Sequence, residues 1–365
     1  MTLPLAPPLQ PQLALSRKTL PEGEVYVYEI KLDGFRCIAF VDGEEVFLQS
    51  RNGRPLGRYF PELRLPAGRY VLDGEIVVRG SEGGAAGRRS AGQNGDRSGR
   101  HSLRSRPRIG QRRRRVSTGF GRAPLHCWSG REDFDALGQR IHPAASRIEL
   151  LARETPAVYV AFDLLAREDE SLLEQPLSER RAALEALLGE SRFAGAPVEL
   201  MPTVATVGEA ERWLREAEGA IAKERAAPYR PGERRGMFKV KRVRTIDAVV
   251  TGWRPGKEPG TVGALILALY DGGELRVVGH CSGLTAAEKR RLVGFLAPYE
   301  TGERGTADPS RWSAGRNLEW VALRPELVVE IDFDHVSAGR IRHGAKLRRW
   351  REDKDPRQCT FDQLR

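Results

Sequence analysis

Short runs of alternating apolar and polar residues, bounded by turn residues, dominate the first 80 positions of the chain. A period of two is typical of strands that bury one face. The pattern predicts strands at 25–29, 35–41, 45–49 and 70–78. Because tight turns join these segments, we expect antiparallel pairing in this part of the chain.

Beyond residue 130 the apolar period changes to three or four positions, which is typical of amphipathic helices. It predicts helices at 133–141, 178–188 and 209–217. Ser178 is the expected N-cap of the second helix, and Gly189 is its expected end. The apolar run 158–165 lies between these helices and predicts a buried strand. Strands and helices together indicate a mixed α+β domain.

From about residue 245 onward, short strand patterns return at even spacing. They lie at 248–253, 263–270, 274–280 and 327–333. One helix interrupts them, and its start carries a capping box in which Glu288 follows Thr285 by three residues. We expect the apolar face of this helix to include Leu292, Phe295 and Leu296.

These patterns divide the chain into two domains. About 120 residues of short strands with a single helix fit a small closed β-barrel, and the OB-fold is the expected form. We therefore predict an α+β domain with antiparallel sheets at 1–243 and an OB-fold barrel at 244–365, with a hinge at 242–245.

Length and composition exclude several classes of protein. The chain has 365 residues, enough for two or three domains with buried cores. No apolar run approaches the ~20 residues of a membrane span. The first 12 residues hold four prolines and no basic residue, so we expect no signal peptide and a cytoplasmic protein. The four cysteines lie far apart without a CxxC pair, which argues against a zinc site or disulfide bonds.

The net charge of +11 would ordinarily suggest a nucleic-acid partner. However, residues 79–130 hold 13 Arg and two acids, while the rest of the chain holds 47 basic and 47 acidic residues. That segment is rich in Gly, Ser and Arg without apolar periodicity, so we expect a disordered insertion at 80–130. Two interpretations stay open: an Arg-rich arm that binds phosphates, or a solvated or artefactual segment without function.

The first candidate chemistry lies in the segment EIKLDGFR, residues 29–36. Lys31 is a candidate nucleophile, because burial and neighbouring cations can lower the pKa of an amine. An isolated KxDG more often marks a plain Asp-Gly hairpin turn with exposed flanking charges. Other motifs must therefore decide between the two interpretations.

Six further motifs follow in one order and make the signal strong. They are SRNG (50–53), LDGEIV (72–77), YVAFDLL (159–165), EGAIAK (218–223), FKVK (238–241) and REDK (351–354). With this set, the chain resembles the covalent nucleotidyltransferase superfamily and, within it, ATP-dependent DNA ligases. It is most similar to the stand-alone bacterial ligase C, and next to the ligase domain of bacterial ligase D. The resemblance covers nearly the whole chain except 79–130.

The resemblance implies an adenylation domain in which Lys31 attacks the α-phosphate of ATP. Charge then develops on the phosphoryl oxygens and on departing pyrophosphate, so the site needs cations and a metal. Lys239 and Lys241 alternate along a strand and would present two ammonium groups to the α-phosphate, which would also lower the pKa of Lys31. Glu75 and Glu218 would hold Mg²⁺ or Mn²⁺.

The same resemblance assigns four residues to the nucleotide and the nick. Phe162 would stack on adenine, and Glu29 would recognise the purine amino group. Arg36 and Arg51 would bind the ribose-phosphate and the 5′-phosphate of the nicked strand, which arginine can hold through two hydrogen bonds. Taken singly, such residues are explained as well by a core or a solvated surface, and only the ordered set favours function.

The C-terminal segment RWREDKDP, residues 349–356, is too charged for a core. By resemblance, Arg351, Asp353 and Lys354 swing over the ATP site to orient pyrophosphate, and then move away so that the barrel can clamp DNA. A rotation at the hinge would separate these steps. The alternative is a charged C-terminal tail.

The function implied by the resemblance is an ATP-dependent DNA ligase of DNA repair. It would seal a 3′-hydroxyl to a 5′-phosphate in nicked duplex DNA through lysyl-AMP and DNA-adenylate intermediates. An RNA ligase or a capping guanylyltransferase is the alternative within the superfamily, and a non-catalytic nucleic-acid-binding protein is the alternative outside it. The SRNG motif, the length of the barrel and the C-terminal segment favour the DNA ligase. We expect a monomer that works at the nucleoid.

Overall fold

The structure is a computed structural model that describes residues 2–80, 132–306, 319–337 and 339–364. Apart from Gly80 and the bridging Arg79, the predicted insertion and Cys127 lie outside the described residues. Buried thiols are found at Cys37, Cys281 and Cys359. None of the helices in these ranges is long and apolar enough to cross a membrane.

The first domain is built from short strands with helices on the outside. Its strands are β1 (Leu15–Ser16), β2 (Tyr26–Ile30), β3 (Phe35–Gly43), β4 (Glu45–Ser50), β5 (Gly68–Val78), β6 (Ala157–Arg167), β7 (Glu170–Ser171), β8 (Val198–Leu200), β9 (Thr203–Val204), β10 (Gly219–Glu224) and β11 (Met237–Lys241). Its helices are α1 (Phe134–Gln139), α2 (Ala145–Glu154), α3 (Leu177–Leu188) and α4 (Val207–Glu216).

These strands form two sheets. One runs in the order β1-β11-β10-β2-β9, and the other in the order β4-β3-β5-β6-β7, with β8 beside β6. As predicted, β3 pairs antiparallel with both β4 and β5. Tyr28 and Ile30 of the first sheet share one apolar cluster with Val77, Val160 and Phe162 of the second, so the two sheets pack face to face.

Helix ends differ from the sequence-based expectation in two places. Helix α3 begins at Leu177 after Pro176, and no side chain caps it, so the prediction that Ser178 is its N-cap was wrong. Proline supplies a fixed φ but no acceptor for the first free N–H groups. Helix α4 starts two residues earlier than predicted, because Thr206 and Glu209 form a reciprocal capping box.

The second domain is a closed barrel with one helix. Its strands are β12 (Arg244–Pro255), β13 (Val262–Asp271), β14 (Glu274–Gly283), β15 (Glu300–Thr306), β16 (Glu319–Phe333), β17 (Val336–Ser337), β18 (Arg340–Ile341) and β19 (Ala345–Trp350), and its helix is α5 (Ala286–Leu296). The order β12-β13-β14-β19-β16 closes because β12 also pairs with β16. A five-stranded closed sheet with a helix between its third and fourth strands confirms the OB-fold prediction.

Helix α5 has the predicted capping box of Thr285 and Glu288. Leu292 and Leu296 are buried, whereas Phe295 is 39% exposed and lies edge-on against Trp350. Strand β11 ends at Lys241 and β12 begins at Arg244, so two residues connect the domains.

Candidate active site

A cavity of about 210 Å³ lies between the two sheets of the first domain. Seven of the predicted site residues line it: Glu29, Lys31, Arg36, Arg51, Glu75, Phe162 and Lys239. They come from both sheets and from the ends of β2 and β4. We call this space the nucleotide cavity.

The KLDG segment is not a hairpin turn. It connects β2 of one sheet to β3 of the other, so Lys31 stands where the chain crosses between the sheets. The Lys31 amide donates to the carbonyl of Gly219 at 3.0 Å, which fixes the crossing to β10. A Cβ on Gly34 would lie 2.4 Å from the carbonyl oxygen of Ile76, so only glycine allows this approach to β5.

Arg36 is held by a buried hydrogen-bond network. Its Nε and one Nη donate to the two carboxylate oxygens of Asp73, both at 2.6 Å. The Tyr229 hydroxyl donates to Asp73 at 2.6 Å and accepts from the Gln12 amide at 2.9 Å. Burial opposes the charge on Arg36, but its ion pair with Asp73 outweighs that effect and raises its pKa. The guanidinium is therefore a fixed cation in the cavity wall.

The predicted adenine-binding end has a second ion pair. Lys223 lies 2.8 Å from the Glu29 carboxylate, and both side chains are almost fully buried. The Lys223 ammonium and the Arg36 guanidinium each lie 4.4 Å from the centre of the Phe162 ring. Contacts between cations and an aromatic ring fix the ring plane. Phe162 is thus a wall of the cavity, in addition to a member of the core between the sheets.

Glu75 and Lys239 both line the nucleotide cavity and belong to its predicted phosphate end. Burial raises the pKa of Glu75 to about 7, and the charges of Arg36 and Lys31 only partly oppose the shift. Burial, followed by the positive charges of Lys241 and Arg51, lowers the pKa of Lys239. Neither group has an ion-pair partner among the described residues, as expected where a polyanion and a cation bind together.

The structure shows which ligands the described residues offer to the predicted metal ion. In the part of the chain that the structure describes, no three His, Cys, Asp or Glu side chains surround a point that could hold a metal ion. The Glu75 carboxylate lines the nucleotide cavity, and it makes no hydrogen bond to another described residue. A carboxylate without a partner suits Mg²⁺, which takes few protein ligands and completes its shell with phosphate oxygens and water.

Glu218 and Lys241 lie outside the cavity lining and contact the barrel instead. His335 Nδ1 lies 2.5 Å from the Glu218 carboxylate, and the Lys241 ammonium donates to Asp334 at 2.5 Å. Burial opposes ionisation of Glu218, but the hydrogen bond with His335 outweighs it and lowers the pKa. In this arrangement, the barrel engages two of the predicted catalytic and metal-binding residues.

A third contact ties the barrel to the KLDG segment. Arg342 donates to Asp33 at 2.6 Å, and its guanidinium lies 3.4 Å from the centre of the Phe134 ring. The turn around β17 and β18 thus faces the catalytic side of the first domain.

The predicted C-terminal residues lie elsewhere. Arg351 and Lys354 donate to Asp247 of the same barrel, at 3.0 and 2.6 Å, and Asp353 pairs with Arg351 at 2.8 Å. None of the three lines the nucleotide cavity. The structure therefore has the orientation in which this segment is away from the site.

Sequence reasoning missed six residues of the site. They are Asp73, Lys223, Tyr229, Asp334, His335 and Arg342. Asp73 and Lys223 lie within the motifs LDGEIV and EGAIAK, so the sequence contained a signal for these two residues. The barrel residues follow β16 in a run of His, Asp and Arg, but nothing in that run indicates that it faces another domain.

The crossing lysine, its cationic surroundings and the attached OB-fold define a covalent nucleotidyltransferase fold of the ATP-ligase type. The family model described as "ATP dependent DNA ligase domain" matches residues 8–102 and 129–241, and "ATP dependent DNA ligase C terminal region" matches 258–354. The unmatched gap 103–128 falls within the predicted insertion.

Individual relatives agree with the family models. The chain is 39% identical to DNA ligase C1 of Mycolicibacterium smegmatis over 383 residues, which covers 100% of this chain and 96% of that protein. It is 39% identical to DNA ligase C of Mycobacterium tuberculosis over 394 residues, with the same coverage. The crystal structure of the ligase domain of M. tuberculosis LigD is 26% identical, with a TM-score of 0.46, and the match covers 96% of this chain and 98% of that one. The protein belongs to the ATP-dependent DNA ligase family.

Proposed function

We propose that this enzyme seals nicks between a 3′-hydroxyl and a 5′-phosphate in duplex DNA, with ATP as the source of AMP. The observation that carries the proposal is the nucleotide cavity itself. Lys31, Arg51 and Lys239 line it together with the unpaired carboxylate of Glu75, in a chain of the DNA ligase family. That combination suits the transfer of a nucleotidyl group through a lysine.

The proposed reaction has three displacements at phosphorus. The Lys31 amine loses a proton and attacks the α-phosphate of ATP, so that a P–N bond forms and pyrophosphate leaves. An oxygen of the 5′-phosphate at the nick then attacks the same phosphorus, and Lys31 leaves. Finally, the 3′-hydroxyl attacks the 5′-phosphate, a phosphodiester forms, and AMP leaves with the bridging oxygen.

The protein groups bind and orient the reactants in these steps. Lys239 and Arg51 hold the negative charge of the phosphates close to Lys31. Arg36 binds the ribose-phosphate from the wall in which Asp73 fixes it, and Glu29 accepts from the purine amino group. Glu75, with Glu218 as a second oxygen ligand once the barrel moves, would hold a divalent cation, which would supply charge stabilisation at the phosphoryl oxygens.

In this proposal, the barrel presents different residues to the nucleotide cavity in different steps. Arg351 and Lys354 face pyrophosphate during lysine adenylation, with Asp353 as an orienting partner of Arg351. Later the barrel presents the turn that contains Asp334 and His335, as in the arrangement described above. We also propose that the domains divide at residue 243, that 242–245 is the hinge, and that one monomer acts on one nicked duplex.

Labelling of the protein with α-labelled ATP or α-labelled GTP tests the proposal. We expect Lys31-dependent label from ATP that survives a denaturing gel, is absent in Lys31→Ala, and is discharged by nicked duplex DNA. Label from GTP would indicate a capping guanylyltransferase. Label that only nicked RNA discharges would indicate an RNA ligase, and no label from either nucleotide would leave a nucleic-acid-binding protein without catalysis.

A further inference from the structure

A segment near the start of the chain, which none of the sequence motifs includes, joins the two sheets of the first domain beside the nucleotide cavity. It runs from Leu9, which bonds to a side chain of β4 in the second sheet, to β1, which pairs in parallel with β11 of the first sheet. Between these two attachments, the cavity is lined by Pro11, Gln12, Leu13 and Ala14. We call residues 9–17 the N-terminal strap.

The attachment to β4 depends on the side-chain amide of Gln49, a residue that is 1% exposed. The Leu9 amide donates to Gln49 Oε1 at 2.9 Å, and Gln49 Nε2 donates to the Leu9 carbonyl at 2.6 Å. A primary amide is both donor and acceptor, so it satisfies both backbone groups of Leu9, which an apolar side chain would leave unpaired. Gln49 lies two residues before Arg51, so this attachment adjoins the SRNG motif.

Gln12 attaches the middle of the strap to the cavity wall. It is 5% exposed, and its Nε2 donates at 2.5 Å to the carbonyl of Arg235, in the connection between β10 and β11. Its backbone amide donates to the Tyr229 hydroxyl at 2.9 Å, and its carbonyl accepts from Arg36 Nη2 at 3.4 Å. Gln12 therefore extends the network in which Asp73 fixes Arg36.

The far end of the strap is bonded to the strand that contains Lys239. The Arg17 amide donates to the Lys239 carbonyl at 2.9 Å, and the Leu13 amide donates to the Glu233 carbonyl at 2.8 Å. Glu233 precedes Arg234, another cation that lines the cavity. One short segment thus contacts the surroundings of cations from both sheets.

The spacing of the sheets decides how these cations meet a ligand. Arg36 belongs to β3 and Arg51 follows β4, both in the second sheet, whereas Lys239 belongs to β11 in the first. In the proposed reaction, one nucleotide contacts groups from both sheets at once, so it binds well only at one spacing. A segment that holds this spacing before ATP arrives removes an ordering cost from binding.

We propose that Gln12 and Gln49 are positioning residues for ATP: through the N-terminal strap, they hold the cations of the two sheets at the spacing that the nucleotide requires. This inference rests on the proposed function and adds two residues to it, which act through Arg36, Arg51 and Lys239. Release of the strap should weaken the binding of ATP. It should leave the maximal rate nearly unchanged, because the groups that make and break bonds are intact.

The test measures lysine adenylation by the full-length protein over a range of ATP concentrations, for Gln12→Leu, Gln49→Leu and the double variant. Leucine keeps the approximate size of the side chain and removes its hydrogen bonds. The ATP concentration that gives half the maximal rate should rise about threefold in each single variant and about tenfold in the double variant, with the maximal rate within about twofold of wild type. Gln10→Leu is the matched control, because Gln10 belongs to the same strap, is exposed and does not line the cavity.

A merely structural role would change different quantities. It would reduce the folded fraction, and with it the maximal rate, at an unchanged half-saturating ATP concentration. That result would overturn the inference, as would an equal rise in Gln10→Leu or wild-type behaviour of the double variant. If Gln49→Leu does not fold, Gln12→Leu decides by itself, since it removes a single hydrogen bond. Failure of the proposed function is distinguishable, because the wild-type protein would then take up no AMP from ATP, and both proposals would be overturned.

Discussion

Cations line both the nucleotide cavity of the first domain and the groove of the barrel between the β12–β13 connection and α5. The two regions differ in whether those cations are paired with acids. In the cavity, Arg36 and Lys223 are fixed by Asp73 and Glu29, and among the described residues that line it Lys31, Arg51, Arg234 and Lys239 are left for a ligand. In the groove, no acid of this kind is present except Glu258. Bond making requires side chains in one geometry, which paired carboxylates enforce. Binding of a repeated phosphate backbone requires only charge at the right spacing.

The largest effect is expected at Glu75, the unpaired acid of the cavity. Glu75→Gln should slow lysine adenylation by on the order of 10³-fold, because it removes the proposed metal ligand. The wild-type carboxyl, with its pKa raised to about 7, must lose a proton before it binds Mg²⁺. The apparent Mg²⁺ affinity should therefore rise about tenfold per pH unit up to pH 7 and level off above it.

The adenylation rate and the pH dependence of the Mg²⁺ affinity are both checked by titrating Mg²⁺ at several pH values. The readout is the transfer of labelled AMP to the protein. The exposed Glu154→Gln on α2 serves as the control and should behave as wild type. A pH dependence that persists in Glu75→Gln would show that another group titrates.

The next largest effect concerns the C-terminal segment, which contacts neither region in this arrangement. Arg351→Ala/Lys354→Ala should slow lysine adenylation about 10²-fold, because it removes the two cations proposed to orient the leaving pyrophosphate. Sealing of a pre-adenylated nick should change little. Arg348→Ala/Arg349→Ala, from the adjoining strand β19, is the matched control. Equal loss in both reactions would mean that the pair with Asp247 only stabilises the barrel.

A smaller effect is expected from Tyr229→Phe, which tests the pairing inside the cavity wall. Removal of the hydroxyl leaves the Gln12 amide without a partner and takes one of two donors from Asp73 Oδ2, which keeps its bond from Arg36, at a cost of about 1–3 kcal/mol. If this cost disturbs Arg36, the KM for ATP in lysine adenylation should rise about tenfold with little change in kcat.

Tyr26→Phe, whose hydroxyl bonds no described residue, is the control for this variant. An unchanged KM together with a lower melting temperature would assign Tyr229 to stability alone.

The smallest effect is expected outside both regions. Arg79 and Glu132 pair across an antiparallel bridge, and the Asp133 amide donates to the carbonyl of Val78 at 2.8 Å. The ends of the insertion are therefore adjacent, and its replacement by a short Gly-Ser loop should leave lysine adenylation intact. We expect the DNA affinity to fall only about threefold at moderate salt. Loss of soluble, adenylated protein would contradict this expectation.

Local sequence patterns predicted most of the strands and helices, but not which residues these elements contact in the fold. The alternation at 35–41 and 70–78 is enough to predict β3 and β5, and the capping box of Thr285 and Glu288 is enough to predict the start of α5. The exposure of Phe295 was not predictable, since a helical period defines an apolar face without saying how much of it is covered. The role of Tyr229 was equally hidden, because Asp73 lies 156 residues away in sequence.

The sequence by itself determined the order of motifs, and with it the family, the candidate nucleophile Lys31 and the expectation of an α+β domain followed by a barrel. These properties depend on residue identities at short spacing, which a sequence states directly. The tertiary structure decided which cations are paired and which are left for ligands. It alone placed Asp334, His335 and Arg342 against the catalytic side, and Arg351 and Lys354 against Asp247. Such contacts depend on how two separately folded units are oriented, and local periodicity contains no information about that orientation.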